Sequence, residues 1–141
     1  MKYLLDTCVV SELIRSTANE NVVSWMENVN EEDLYLRVLT LGEIEKGIEK
    51  AIDVKRKRTL QLWVENDLKQ RFEGRIIAID LNIAVKWGAT QGMAELLGKP
   101  MPTIDGLIAI SALVNNCIVV TRNVSDMEQS TVEILNPWIK S

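Results

Sequence analysis

Tyr3-Leu4-Leu5-Asp6-Thr7-Cys8-Val9-Val10-Ser11-Glu12-Leu13 is the stretch on which the reading of this chain turns. Its opening apolar run is too short for a helix and suits a strand buried on both faces. Asp6-Thr7 ends the run, and Ser11 to Arg15 predicts a short helix after it. An unpaired carboxylate beside a core is costly. Asp6 therefore either caps the following turn or shares a ligand with other acids.

Working outward, strand-like and helix-like segments alternate. Asn21 to Asn30 predicts a helix with an apolar stripe of Val22, Val23, Trp25, Met26 and Val29. Leu34 to Val38 reads as a strand. Thr40 reads as a helix cap, with Glu43 at capping-box spacing, and the helix runs to about Ile52. Val54 to Glu73 predicts a long helix with Leu60, Trp63, Val64, Leu68 and Phe72 inward and Gly74 as its stop. Ile76 to Ile79 is a β-branched strand, and Leu81 to Leu97 is a helix closed by Gly98. Thr103 to Asn115 predicts another helix, Cys117 to Thr121 a fourth strand and Val132 to Leu135 an edge strand. Apolar strands separated by helices predict an α/β domain with a mostly parallel sheet of four to five strands, both faces covered. The 141 residues read as a single domain, 1–141, with Gly98-Lys99-Pro100-Met101-Pro102 a tight connection rather than a boundary.

Composition narrows the chemistry. The chain has no histidine, which excludes serine–histidine and cysteine–histidine catalysis. Its two cysteines, Cys8 and Cys117, are too few for a structural zinc site and read as free thiols. No apolar stretch reaches the ~20 residues of a membrane helix, and the first run is too short for a signal-peptide core. A cytosolic location is the expectation. The net charge of -4 works against a general nucleic-acid binder. Lys55-Arg56-Lys57-Arg58 reads as a solvated helix face before it reads as a phosphate contact. No glycine-rich phosphate loop occurs. The four tryptophans, Trp25, Trp63, Trp87 and Trp138, read as packing residues more readily than as base-stacking platforms.

Four acids sit at element edges. Asp6 closes the first strand and Asp126 follows the fourth, while Glu43 and Asp105 lie in early turns of helices. In an open parallel sheet such edges line the ligand crevice. Each acid alone has an ordinary explanation as a cap, a dipole partner or loop polarity. Together, and without basic partners, they would repel one another, and a divalent cation removes that cost. Hard oxygen donors suit magnesium, which acidifies water for attack on a phosphodiester.

Four segments carry a resemblance. They are Tyr3 to Leu13, Leu41-Gly42-Glu43-Ile44-Glu45-Lys46-Gly47-Ile48, Pro102-Thr103-Ile104-Asp105-Gly106-Leu107-Ile108-Ala109, and Val120-Thr121-Arg122-Asn123-Val124-Ser125-Asp126. In this order and spacing they resemble PIN-domain nucleases, and most of all the toxins of VapBC/FitAB-type toxin–antitoxin pairs. The resemblance implies a three-layer α/β/α PIN-like fold and magnesium- or manganese-dependent endonucleolytic cleavage of RNA. It gives metal-site roles to Asp6, Glu43 and Asp105. The fourth position is Asp126, preferred for its charge, or Asn123 as a neutral ligand or substrate contact. Thr7 matches a hydroxyl position near the metal. Cys8 departs from a common asparagine, and Met127 from a common aromatic. Arg122 is a candidate for a phosphate contact or for pairing with an acid of the cluster. Lys46, one turn beyond Glu43, is a candidate for neutralising the site or holding the scissile strand, against the ordinary reading of a solvated lysine.

The resemblance also implies a homodimer and an antitoxin, a small DNA-binding protein. The stripe of Trp25, Met26 and Val29, beside Val9 to Ile14, is the expected interface. Two rivals come from other classes. One is a catalytically silent PIN-fold binding module. The other is a phospho-accepting receiver-like domain, which fits badly because Lys99-Pro100 follows a helix instead of a strand.

Overall fold

A computed structural model describes residues 1–139 of the chain. Five strands form one sheet: β1 (Lys2–Leu5), β2 (Leu34–Arg37), β3 (Ile76–Ile77), β4 (Cys117–Val120) and β5 (Ile134–Leu135). The order is β3-β2-β1-β4-β5, and every pairing is parallel. The helices are α1 (Thr7–Leu13), α2 (Glu20–Asn28), α3 (Val38–Glu49), α4 (Val54–Trp63), α5 (Lys69–Arg71), α6 (Leu81–Leu96) and α7 (Thr103–Val114).

The period of two along each strand sorts side chains into two cores. Leu5, Leu34, Leu36 and Val120 face one side, where Val9 and Val10 of α1, Val22 of α2, and Ile44 and Ile48 of α3 cover them. Leu4, Cys117 and Val119 face the other, against Ile108, Ala109 and Ala112 of α7 and Met127. With α6 packed on α7, this gives the expected three layers.

The predicted long helix is interrupted. Val64–Leu68, between α4 and α5, is wound as a π-helix. Val64, Leu68 and Phe72 still reach the core. Gly74 and Gly98 stop their helices with positive φ angles of 79° and 71°, where other residues are strained.

The stripe expected to form an interface keeps part of its surface exposed. Trp25, Met26 and Val29 are half-buried against the first core, and Trp25 stands edge-on to Tyr3. Exposed apolar side chains also line α6 and its end: Leu81, Val85, Met93, Leu96 and Leu97. Among the described residues, no helix is long and apolar enough to cross a membrane.

Candidate functional site

The chain steps outward from β1 to β2 to β3, then returns to place β4 on the other side of β1. That reversal opens a crevice at the carboxyl ends of β1 and β4. Asp6 stands at the end of β1, and its N–H donates to the Val120 carbonyl of β4 at 3.0 Å.

Asp6 is 4% exposed, and both carboxylate oxygens are engaged. Oδ1 accepts the Thr7 N–H at 2.8 Å, and Oδ2 accepts the Thr121 hydroxyl at 2.8 Å. The first bond caps α1, so the helix begins at Thr7 directly after the strand and not at Ser11. Of the two readings left open by the sequence, the cap is present. Thr121 also receives the Asn123 N–H at 3.0 Å, which ties the loop after β4 to the same carboxylate.

Glu43 approaches from α3. Its Oε1 accepts the Thr7 hydroxyl at 2.7 Å. The predicted capping box is absent, because α3 starts at Val38 and Thr40 lies buried inside it. The Thr40 hydroxyl sits 3.4 Å from that of Thr7, where it supports the crevice wall.

The residue that sequence reasoning missed is Arg37, the last of β2, with 0% exposure. Its Nη2 donates to Glu43 Oε1 at 2.9 Å and lies 3.5 Å from Asp6 Oδ1. Its Nε and Nη1 are buried with no hydrogen-bond partner. The expectation of acids converging without a basic partner is therefore corrected. The available signal was a charge closing the apolar run Leu34-Tyr35-Leu36, the same rule that singled out Asp6.

Asp105 sits in the first turn of α7. Burial, then the charges of Asp6 and Asp126, push its carboxyl up to about 6, with Glu43 adding to the rise and Arg37 opposing it. Two contacts fix this helix start. Gly106 lies so close to Trp87 that a Cβ there would meet Nε1 at 3.1 Å. Gln91 of α6 exchanges two hydrogen bonds with the Met101 backbone, at 2.6 and 3.0 Å.

Asp126 lies exposed in the 3-10 turn Ser125–Ser130 and adds to the negative potential at Asp105. Asn123 is exposed beside it, and Lys46 is exposed in the last turn of α3. Arg122 pairs with an acid outside the four. Its Nη2 lies 3.5 Å from Glu12 Oε1, and its guanidinium stacks over Trp138 at 4.2 Å. Glu12 is itself buried at 3% exposure and also holds Arg15 at 3.1 Å.

The electrostatics around Asp105 thus set three carboxylates, Asp6, Asp126 and Glu43, beside a fourth, with Arg37 alone opposing them. Four carboxylates opposed by one cation favour a bound divalent cation by charge. Among the described residues, no three acidic or thiol side chains already stand where one ion would be gripped. Asp6 and Glu43 are drawn onto Arg37 instead.

A family model described as PIN domain matches residues 3–127. The chain belongs to the PIN-domain family. It is 33% identical over 135 residues to Toxin FitB of Neisseria gonorrhoeae, covering 96% of this chain and 97% of that one. It is 30% identical to VapC ribonuclease Y4jK of Sinorhizobium fredii, covering 96% of each. A solved structure of FitAB bound to an IR36 DNA fragment superposes with a TM-score of 0.92 at 32% identity, over 99% of this chain and 97% of that one.

Membership explains the departures in physical terms. Met127 replaces an aromatic at a position that is wholly buried, so packing is its role. Cys8 Sγ lies 3.7 Å from Asp6 Oδ2 and 3.6 Å from Thr121 Oγ1, a weak contact where an asparagine would bond firmly. The receiver-like alternative falls, since the strand order β3-β2-β1-β4-β5 is not the 2-1-3-4-5 order of that fold.

Proposed function

We propose that this PIN domain is the toxin of a type II toxin–antitoxin pair and an endoribonuclease that cuts single-stranded RNA in the cytosol with magnesium or manganese. The observation that supports the reading is the Asp105 carboxyl, raised by burial and by the charges of Asp6, Asp126 and Glu43 at the carboxyl edge of the sheet. The similarity to a toxin and to a ribonuclease supports it.

Asp6, Asp105, Glu43 and Asp126 would hold the cation, with Asn123 as a further oxygen donor. When bound, the ion supplies Lewis acidity that polarises a phosphodiester and acidifies water. The chain's own groups do the rest. Thr121 and the Thr7 backbone hold Asp6 in one orientation. The Thr7 hydroxyl holds Glu43. Asp105, half-buried among the other acids, is the carboxylate whose repulsion a bound cation would relieve. Lys46 is free to meet the RNA backbone, whereas Arg122 is held by Glu12 and Trp138 and braces the crevice wall.

The partners are an antitoxin and a second copy. A cavity of about 170 Å³ opens beside α1, lined by Leu13, Ile14, Trp63 and Leu68 together with Asp67 and Arg71. An amphipathic antitoxin segment fits such a groove. The exposed apolar face of α6 is the surface for self-association.

Purified protein should cut single-stranded RNA with magnesium or manganese, stop in excess chelator, and leave 5′-phosphate and 3′-hydroxyl ends. Cyclic phosphate ends or undiminished cutting in chelator would overturn the mechanism. Co-expression of the neighbouring gene should relieve growth arrest and co-purify with the chain. Light scattering should give a dimer that Val85→Lys with Met93→Glu splits. A second reading is favoured by Arg37 alone: a silent PIN-fold module, its acids already neutralised from within. It requires that no metal elicit cleavage.

A further inference from the structure

Among the described residues, Arg37 is a fully buried charge that the proposed cleavage does not use. A guanidinium has five N–H donors, and inside a protein each wants a partner. Here only Nη2 is engaged, by Glu43 and Asp6, while Nε and Nη1 have none. The side chain is therefore held by the two carboxylates and by little else that is polar. Those are the oxygens a divalent cation would take.

We propose that Arg37 is a resident cation of the acidic crevice, an autoinhibitory contact that competes with the divalent ion for Asp6 and Glu43. The inference rests on the metal-binding reading of that cluster. Its physical basis is simple. Asp6 Oδ1 and Glu43 Oε1 cannot serve Nη2 and a compact ion with the same lone pairs, and two cations in one crevice repel. Ion entry weakens the hold of Asp6 and Glu43 on Arg37, whose Nε and Nη1 have no other acceptor to keep the side chain in place. The acids stay paired in the metal-free chain, at the expense of affinity when metal arrives. An antitoxin or substrate that moves β2 or the start of α3 would then alter metal affinity without touching a ligand.

Binding of Mn2+ alone, followed by electron paramagnetic resonance of the free ion, tests this without reference to activity. Arg37→Gln should bind Mn2+ at least about tenfold more tightly than the unaltered chain. Arg37→Lys keeps a cation in place and should stay close to the unaltered chain. Equal or weaker binding by Arg37→Gln overturns the inference while leaving the metal reading intact. Absence of Mn2+ binding in both proteins overturns the two together. Should Arg37→Gln not fold, the unaltered chain decides. Saturating Mg2+ should shift the Arg37 Nε–H resonance and speed its exchange with water. A resonance that stays put, while Asp105 responds to the ion, overturns the inference.

Discussion

The two halves of the acidic crevice are built on opposite plans. On the Asp6 side every carboxylate oxygen named above has a donor: Thr7, Thr121 and Arg37 surround a side chain that is 4% exposed. On the Asp105 side a half-buried carboxyl is shaped by burial and like charge, and is pushed up to about 6. One half is neutralised from within and the other is not. A buried acid held by donors contributes to the fold, whereas an acid kept among other acids detracts from it until a cation arrives.

Function should not distinguish the halves. Asp6→Asn and Asp105→Asn should each lower RNA cleavage by about a hundredfold or more, since even outer partners of a metal site cost ten- to a hundredfold. Single-turnover cleavage with saturating Mn2+ measures it. Retention of half the activity by either variant removes that acid from the site.

Stability should separate them. In chelator, Asp6→Asn is expected to lose about 2 kcal/mol, because the Thr121 hydroxyl and the Arg37 guanidinium lose a charged acceptor. Asp105→Asn relieves repulsion and should hold or gain stability. Urea unfolding of both variants is the check. Equal losses would mean that the two halves are not different after all.

What the sequence revealed follows the same division. Asp6 was legible as a candidate because a charge closing an apolar run breaks a pattern, as it does after Leu4-Leu5. The sheet was legible because Leu34 to Leu36 and Cys117 to Val120 are buried on both faces and so read as unbroken apolar runs. Arg37 obeyed the same rule and was missed, because a lone arginine at a strand end is ordinarily solvated. Its acid partners are Glu43, six positions on, and Asp6, 31 positions back, and no strand or helix period reports either. The start of α1 was misplaced for a related reason. Thr7, Val9 and Val10 are poor helix formers, and burial against the sheet overrides their propensity. The π-wound Val64–Leu68 was invisible because Val64, Leu68 and Phe72 keep a spacing of four and mark the same face whichever way the turn is wound.

A pH series sharpens the comparison. Asp105 binds its proton more tightly in the folded chain, near 6, than at its ordinary value of 3.8. The folded state therefore holds more protons than the unfolded one across that window, and stability falls as pH rises through it. Below the window the penalty is absent, and above it the penalty is complete. In chelator, the melting temperature of the unaltered chain minus that of Asp105→Asn should become more negative from pH 4 to pH 6.5. A flat difference would mean that neither burial nor the neighbouring acids raise the Asp105 carboxyl.

The smallest expected effect uses Cys8 as a reporter of the closed half. Burial first, and the Asp6 carboxylate second, push this thiol above its usual range, with hydrogen bonds from the Arg122 backbone and Thr121 pulling the other way. Only the thiolate reacts with iodoacetamide, so alkylation at pH 8 should be slow. Asp6→Asn removes the charge but keeps the shape, and should speed alkylation by about threefold through a larger thiolate fraction. Asp105→Asn acts on the other half, is not among the charges that perturb Cys8, and should leave the rate alone. Cys117, on the opposite face of the sheet, is the internal control, raised by burial and eased by Lys2. If Asp105→Asn speeds Cys8 as much as Asp6→Asn does, the two halves share one electrostatic field and Arg37 does not divide them.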